Sequence, residues 1–140
     1  MDKDGFQGMV DRMARAYADG DFASYLDCFG LPLTIVAPSG TIHMTREDDV
    51  REMFELYSDG LKQLAVTNTI RIVTQFDDCL DGTYLATVET HFFSGNHRVA
   101  EPHRSAFLAK ATQDGPRIIS IMGTRNPQEA VAIAPTQRET

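Results

Sequence analysis

The sequence predicts an α+β fold, with helices first and a curved sheet after them. Up to about residue 64, apolar residues recur at i, i+3, i+4 and i+7, the spacing of one helix face. From residue 66 onward they alternate with polar residues in long runs separated by short turns. Between the two regimes lies 19–40, DGDFASYLDCFGLPLTIVAPSG, where a Gly-Asp break starts a short helix and Leu-Pro-Leu launches the first strand.

The first helix is expected over 5–18. Phe6, Met9, Val10, Met13 and Tyr17 share a face, Asp4 can cap the start and Gly20 the end. Asp21 can cap a second helix over 22–29 with the stripe Phe22, Tyr25, Leu26 and Phe29. Pro32 has no N–H to give a ladder and suits a strand entry, which places strand one at 33–37. Pro38, Ser39 and Gly40 have turn chemistry, and 41–44 returns as a short strand. Residues 45–48 have the form of a capping box with Asp48 in the Glu slot. The third helix follows over 46–63, burying Val50, Met53, Phe54, Tyr57, Leu61 and Leu64. Strands are then expected at 66–76, 83–93, 98–111 and 117–124, and such long runs on short turns imply a curved antiparallel sheet. Asn126, Pro127 and Glu129 carry the N-cap, N1 and N3 signals of a short helix at 127–133, followed by a mobile tail.

At 140 residues the chain fits one domain, 1–140, with its core over about 5–124. A chain this long buries roughly 68% of its unfolded surface. A formal net charge of -7 repels phosphate backbones and anionic lipid, so neither nucleic acid nor membrane is an expected partner. No apolar run reaches the roughly 18–20 residues of a membrane span. The opening MDKDGFQGMV has no signal-peptide core, so a cytoplasmic location is expected. Cys28 and Cys79 form no Cys-x-x-Cys and are expected to be free thiols.

The order of elements, with Ala18-Asp-Gly-Asp-Phe22, Leu26-Asp-Cys-Phe29 and Ile35-Val-Ala-Pro38, resembles the nuclear-transport-factor-2-like superfamily. Ketosteroid isomerase, scytalone dehydratase and the SnoaL-like polyketide cyclases belong to it. The resemblance spans about 5–124. It implies a cystatin-like cone in which three N-terminal helices and a curved mixed or antiparallel sheet enclose an apolar pocket. It also implies a homodimer paired through the outer sheet face. Both faces of 83–93 carry apolar groups, which fits a sheet covered on both sides. The implied pocket wall is Met13, Tyr17, Phe29, Ile35, Ala37, Phe54, Tyr57, Arg104 and Phe107, positions that also serve as core.

A ketosteroid isomerase needs an Asp base and an oxyanion hole of a Tyr and a protonated Asp. The resemblance puts the base slot at Ala37, the Tyr slot near Met13 (Tyr17 is one turn on) and the second Asp near Arg104 or Ser105, so that constellation is absent. A dehydratase or cyclase would pair His with carboxylate. His91 and His103 stand on strands expected to be neighbours, and Glu89 shares a face with His91. These three, with Tyr17 or Tyr57, are the candidate catalytic group; the bland reading is a set of hydrogen-bonded interface histidines. Aligning the turn at Gly95 with the family turns Glu89 and His91 toward the pocket, whereas the apolar count turns Tyr84, Ala86 and Val88 there; both stay open. Glu101, His103 and His91 lack metal-ligand spacing, and Asp77, Asp78 and Asp81 lack the order of a calcium loop, so no metal or cofactor is expected. The function expected first is binding of an apolar small molecule by a homodimer. The alternatives are a SnoaL-like or dehydratase-type enzyme and a protein-interaction module with a bare apolar sheet.

Overall fold

The first helix, α1 (Lys3–Asp19), starts two residues before the expected position, because Asp2 and not Asp4 caps it: its carboxylate accepts from the Gly5 N–H at 2.8 Å. Gly20 closes it with φ 67°, the left-handed conformation glycine adopts without strain. Asp21 then caps α2 (Phe22–Leu26), accepting from the Ser24 N–H at 3.2 Å and its hydroxyl at 2.7 Å. This description is of a computed structural model and concerns residues 1–123. The helix expected at 127–133 and the tail after it lie outside the described residues.

The second helix stops before 29 because Phe29 already belongs to strand β1 (Phe29–Ala37). Phe29 and Thr34–Val36 pair in parallel with β7 (Gly115–Met122), and the register shifts between Phe29 and Thr34. Pro32 sits inside that shift, where its missing N–H breaks no regular ladder. Strand one is therefore longer than expected, with the proline in its interior. β2 (Gly40–Met44) returns antiparallel to β1. Helix α3 (Glu47–Gln63) is held at its start by Asp49, one residue past the expected box; its carboxylate accepts from the N–H groups of Thr45 and Arg46, both at 3.3 Å. Asp48 pairs with Arg46 instead, at 3.1 Å.

The remaining strands are β3 (Asn68–Asp78), β4 (Thr83–Ser94), β5 (His97–Arg98) and β6 (His103–Thr112). The single strand expected over 98–111 is broken between β5 and β6 around Pro102, which cannot donate to the β4 ladder. The sheet order is β2-β1-β7-β6-β4-β3, with β5 on the end of β4. Only the β1–β7 contact is parallel, so the described sheet is mixed, not purely antiparallel. Irregularities between Val73 and Gln75 and between Leu108 and Ala109 bend the strands around the helices. The result is an α+β architecture: three helices on a curved, unclosed sheet.

Between the layers lies the core. Phe6, Met9, Val10, Met13 and Tyr17 of α1 and Val50, Phe54, Tyr57 and Leu61 of α3 are buried there, as their spacing predicts. From β4 the inward face is Ala86, Val88, Thr90 and Phe92. That settles the strand's parity for the apolar count. Cys28 is buried and Cys79 exposed, and neither is bonded to another cysteine. Among the described residues no helix is long and apolar enough to cross a membrane.

Candidate functional site

Aromatic side chains fill much of the space between helices and sheet, but a cavity of about 330 Å³ remains where α1 and α3 face β1 and β2. Met13 and Tyr17 enter it from α1, Met53, Leu56 and Tyr57 from α3, Ile35 and Ala37 from β1, Ile42 from β2, and Phe107 from β6. Ile42 and Leu56 are exposed and mark its mouth, together with His43, Asp49 and Glu52. Tyr25 and Arg71 also line it and, unlike the mouth, are buried.

The buried end is a cluster of hydroxyls around one cation. The Tyr17 ring stacks on Tyr57 with centroids 4.4 Å apart and on Phe54 at 5.2 Å. Its hydroxyl donates to that of Tyr25 at 2.8 Å. Burial, above all other causes, pushes both hydroxyls well above the ordinary tyrosine range, so they stay neutral at neutral pH. Arg71, 7% exposed, donates from one terminal nitrogen to the Tyr57 hydroxyl at 3.2 Å and points the other at the Met13 sulfur, 3.9 Å away. Its Nε has no hydrogen-bond partner. Burial works against its charge, whereas the neighbouring Tyr57, Tyr17 and Tyr25 favour it, and the guanidinium keeps its proton. The Tyr17 and Tyr57 rings each lie 5.8 Å from the guanidinium carbon, at the outer limit of cation–π attraction.

Two sequence features place Arg71. Alternation on β3 turns Thr69, Arg71 and Val73 inward and Ile70 and Ile72 outward. Because β3 is a terminal strand, its outer edge would leave backbone groups unpaired. Gln7 of α1 satisfies two: its amide donates to the Arg71 carbonyl at 2.6 Å, and its carbonyl accepts from the Val73 N–H at 2.8 Å. The sequence carries no local signal of this arrangement: Arg71 shares its register with Thr67 and Thr69, while Ile70 and Ile72 occupy the other.

Of the wall residues expected from the resemblance, Met13, Tyr17, Ile35, Ala37, Tyr57 and Phe107 line the cavity. Phe29 and Phe54 do not: they pack against Tyr25, at 4.8 and 4.9 Å between ring centroids, as solid core. Arg104 lies on the opposite face of the sheet, its side chain 78% exposed, because inward positions on β6 are odd-numbered and it is even. Ser105, its neighbour, is the buried residue there.

The candidate catalytic group is split. Glu89 and His91 do meet, at 2.7 Å, but on the outer sheet face. Arg98 donates to Nδ1 of His91 at 2.7 Å, which leaves Nε2 to carry the proton toward Glu89. Both ring nitrogens are thus engaged away from the cavity, with Arg104 a further 3.9 Å from Glu89. His103 is opposite Thr90 on the inward face, with its ring 5.8 Å from Phe92, and is not among the lining residues. Strand alternation therefore puts His91 and His103 on opposite faces of the sheet. His43 at the mouth is 3.2 Å from the Thr34 hydroxyl, and among the described residues no carboxylate pairs with it. Among the same residues no group of three His, Cys, Asp or Glu converges as a metal centre requires.

Comparison with known proteins follows the fold. Residues 3–126 match a family described as NTF2-like protein (DUF6841). No curated protein matches the chain. Among solved structures, a domain of unknown function with a cystatin-like fold from Nostoc punctiforme is similar at a TM-score of 0.68 and 11% identity, covering 99% of this chain and 91% of that one. An NTF-2-like protein of unknown function from Shewanella oneidensis is similar at 0.65 and 11%, covering 87% and 98%. The beta subunit of a benzoate 1,2-dioxygenase from Burkholderia mallei is similar at 0.60 and 16%, covering 87% and 89%. At these identities the likeness is one of fold alone.

Proposed function

The chain belongs to the NTF2-like family, and from that premise we propose that it is a small-molecule-binding protein whose ligand lies with its apolar body in the cavity between α1, α3, β1 and β2. The observation that carries this reading is the cavity itself. Its volume, about 330 Å³, falls at the small end of ligand sites, and its wall is mostly aromatic and aliphatic, with a few polar groups at its closed end and at its mouth. That is the division of labour of a binding site: apolar area for affinity, convergent polar groups for orientation. A SnoaL-like or dehydratase mechanism built on Glu89, His91 and His103 has no support from this geometry, since none of the three lines the cavity.

Ala37 provides the test. It lines the cavity and is only half-buried, so a larger side chain can enter the empty space without displacing core. Ala37→Phe should bind the neutral fluorescent probe N-phenyl-1-naphthylamine about tenfold more weakly than the wild type, a loss of about 1.4 kcal/mol. Equal affinity in the two proteins would place the bound probe elsewhere and end this reading.

The same protein is proposed to pair with a second copy through the outer sheet face. Ile70, Ile72, Leu85 and Met122 are exposed there, and Glu89 lies among Arg98 and Arg104, so the face carries apolar area and both signs of charge. Light scattering should find a wild-type dimer and an Ile72→Lys monomer. A monomeric wild type would remove this proposal.

A further inference from the structure

We propose that the ligand of this cavity is a monoanion, a carboxylate or a group of the same shape and charge on an apolar body, and that Arg71 pairs with it at the closed end. The proposal rests on reading the cavity as a ligand site and names the chemistry of what that site takes.

Arg71 brings a full positive charge into the core with little to answer it. The ion pairs among the described residues engage Arg46, Arg104, Arg117 and His91, but not Arg71. A guanidinium has five N–H donors in a fixed planar fork. Here one bond goes to a neutral hydroxyl and one contact to a thioether, a weak acceptor, and buried Nε has no partner at all. Buried charges in folded proteins are paired, and a fork with unspent donors matches the two oxygens of a carboxylate.

The charged end also faces the right space. A second cavity, which Tyr17 and Arg71 also line, lies against Ser58, Leu61, Thr69 and Ile70. The groups that the terminal nitrogens of Arg71 touch, the Met13 sulfur and the Tyr57 hydroxyl, belong to residues that line the first cavity and not the second. Tyr57 accepts from Arg71 and keeps its own proton to donate, so an anion placed there meets a cation and a neutral hydroxyl together. At the mouth the charges reverse. Asp49 and Glu52 line the opening, beside the exposed apolar side chains of Ile42 and Leu56. A ligand with a second anionic group at its outer end would meet like charge there, whereas an apolar end would meet carbon. One negative end inward and a hydrocarbon end outward is the polarity that satisfies both.

The experiment uses two ligands of one shape, 2-naphthoate and the neutral 2-naphthamide, titrated calorimetrically into the full-length protein. The wild type should bind the naphthoate at least about tenfold more tightly, a difference of about 1.4 kcal/mol. Arg71→Met should bind both equally, and Arg71→Lys should recover part of the preference. Circular dichroism of each variant reports folding, and the comparison of two ligands on the wild type needs no variant. If the neutral naphthylamine probe binds but wild type does not prefer the naphthoate, the anion proposal is overturned and the cavity reading stands. If probe, acid and amide all fail to bind, both fall. A preference that persists in Arg71→Met would assign the anion to another cation and overturn the role of Arg71.

Discussion

Arg71→Met is expected to raise the melting temperature of the ligand-free protein by about 3–6 °C, equivalent to about 1–2 kcal/mol. Two opposing terms set the sign. Removing the guanidinium sacrifices a charge-assisted hydrogen bond to Tyr57, worth roughly 1.5–3 kcal/mol, and weak attraction to two rings at 5.8 Å. It also removes the desolvation penalty of a buried, unpaired ion, which after relaxation is still several kcal/mol. Methionine fills nearly the same volume and sits beside the sulfur of Met13. Differential scanning calorimetry decides the matter. A variant that melts lower than the wild type would show the charge to be well compensated in the resting protein. A higher-melting variant would identify a residue held at the expense of stability, the pattern common where function needs a strained or unpaired group.

Phe6→Ala is expected to cost about 3–5 kcal/mol, the upper range for core truncations. Phe6 is 0% exposed and joins α1 to two distant strands, meeting Phe76 at 6.0 Å and Phe107 edge-to-face at 6.4 Å between ring centroids. Against a total stability of about 5–15 kcal/mol, that loss takes a large share. Urea titration should show a lower midpoint with an unchanged slope. A loss below about 1 kcal/mol would mean that the seam between α1 and the sheet closes on its own.

How much of this was legible in the sequence depended on whether the deciding interaction was local. Helix faces were read correctly, since Phe6 to Tyr17 and Val50 to Leu61 obey a periodicity visible within one element. Local misreadings shifted a cap by a residue or two; the larger ones came where a distant segment decides. Phe29 reads as the end of a helix stripe until parallel pairing with Ile118, far along the chain, draws it into a strand. The parity of β4 needed its partners too: within the strand both faces carry apolar groups, and only the helices packed on one of them decide which is inside. Six of the nine wall positions taken from the resemblance line the cavity. Arg71 was passed over because a cation in a strand reads as solvated surface, and nothing in neighbouring residues reveals that it is enclosed.

The bridge from Gln7 to β3 has a consequence for self-association. A sheet with two bare edges can add strands at both ends and grow without limit. Here the edge at β3 has its Arg71 carbonyl and Val73 N–H already taken by a side chain from α1, while the edge at β2 (Gly40–Met44) is exposed along most of its length. A strand arriving at β3 therefore finds those two backbone groups already occupied, so a single glutamine hinders edge-to-edge growth at this end of the sheet.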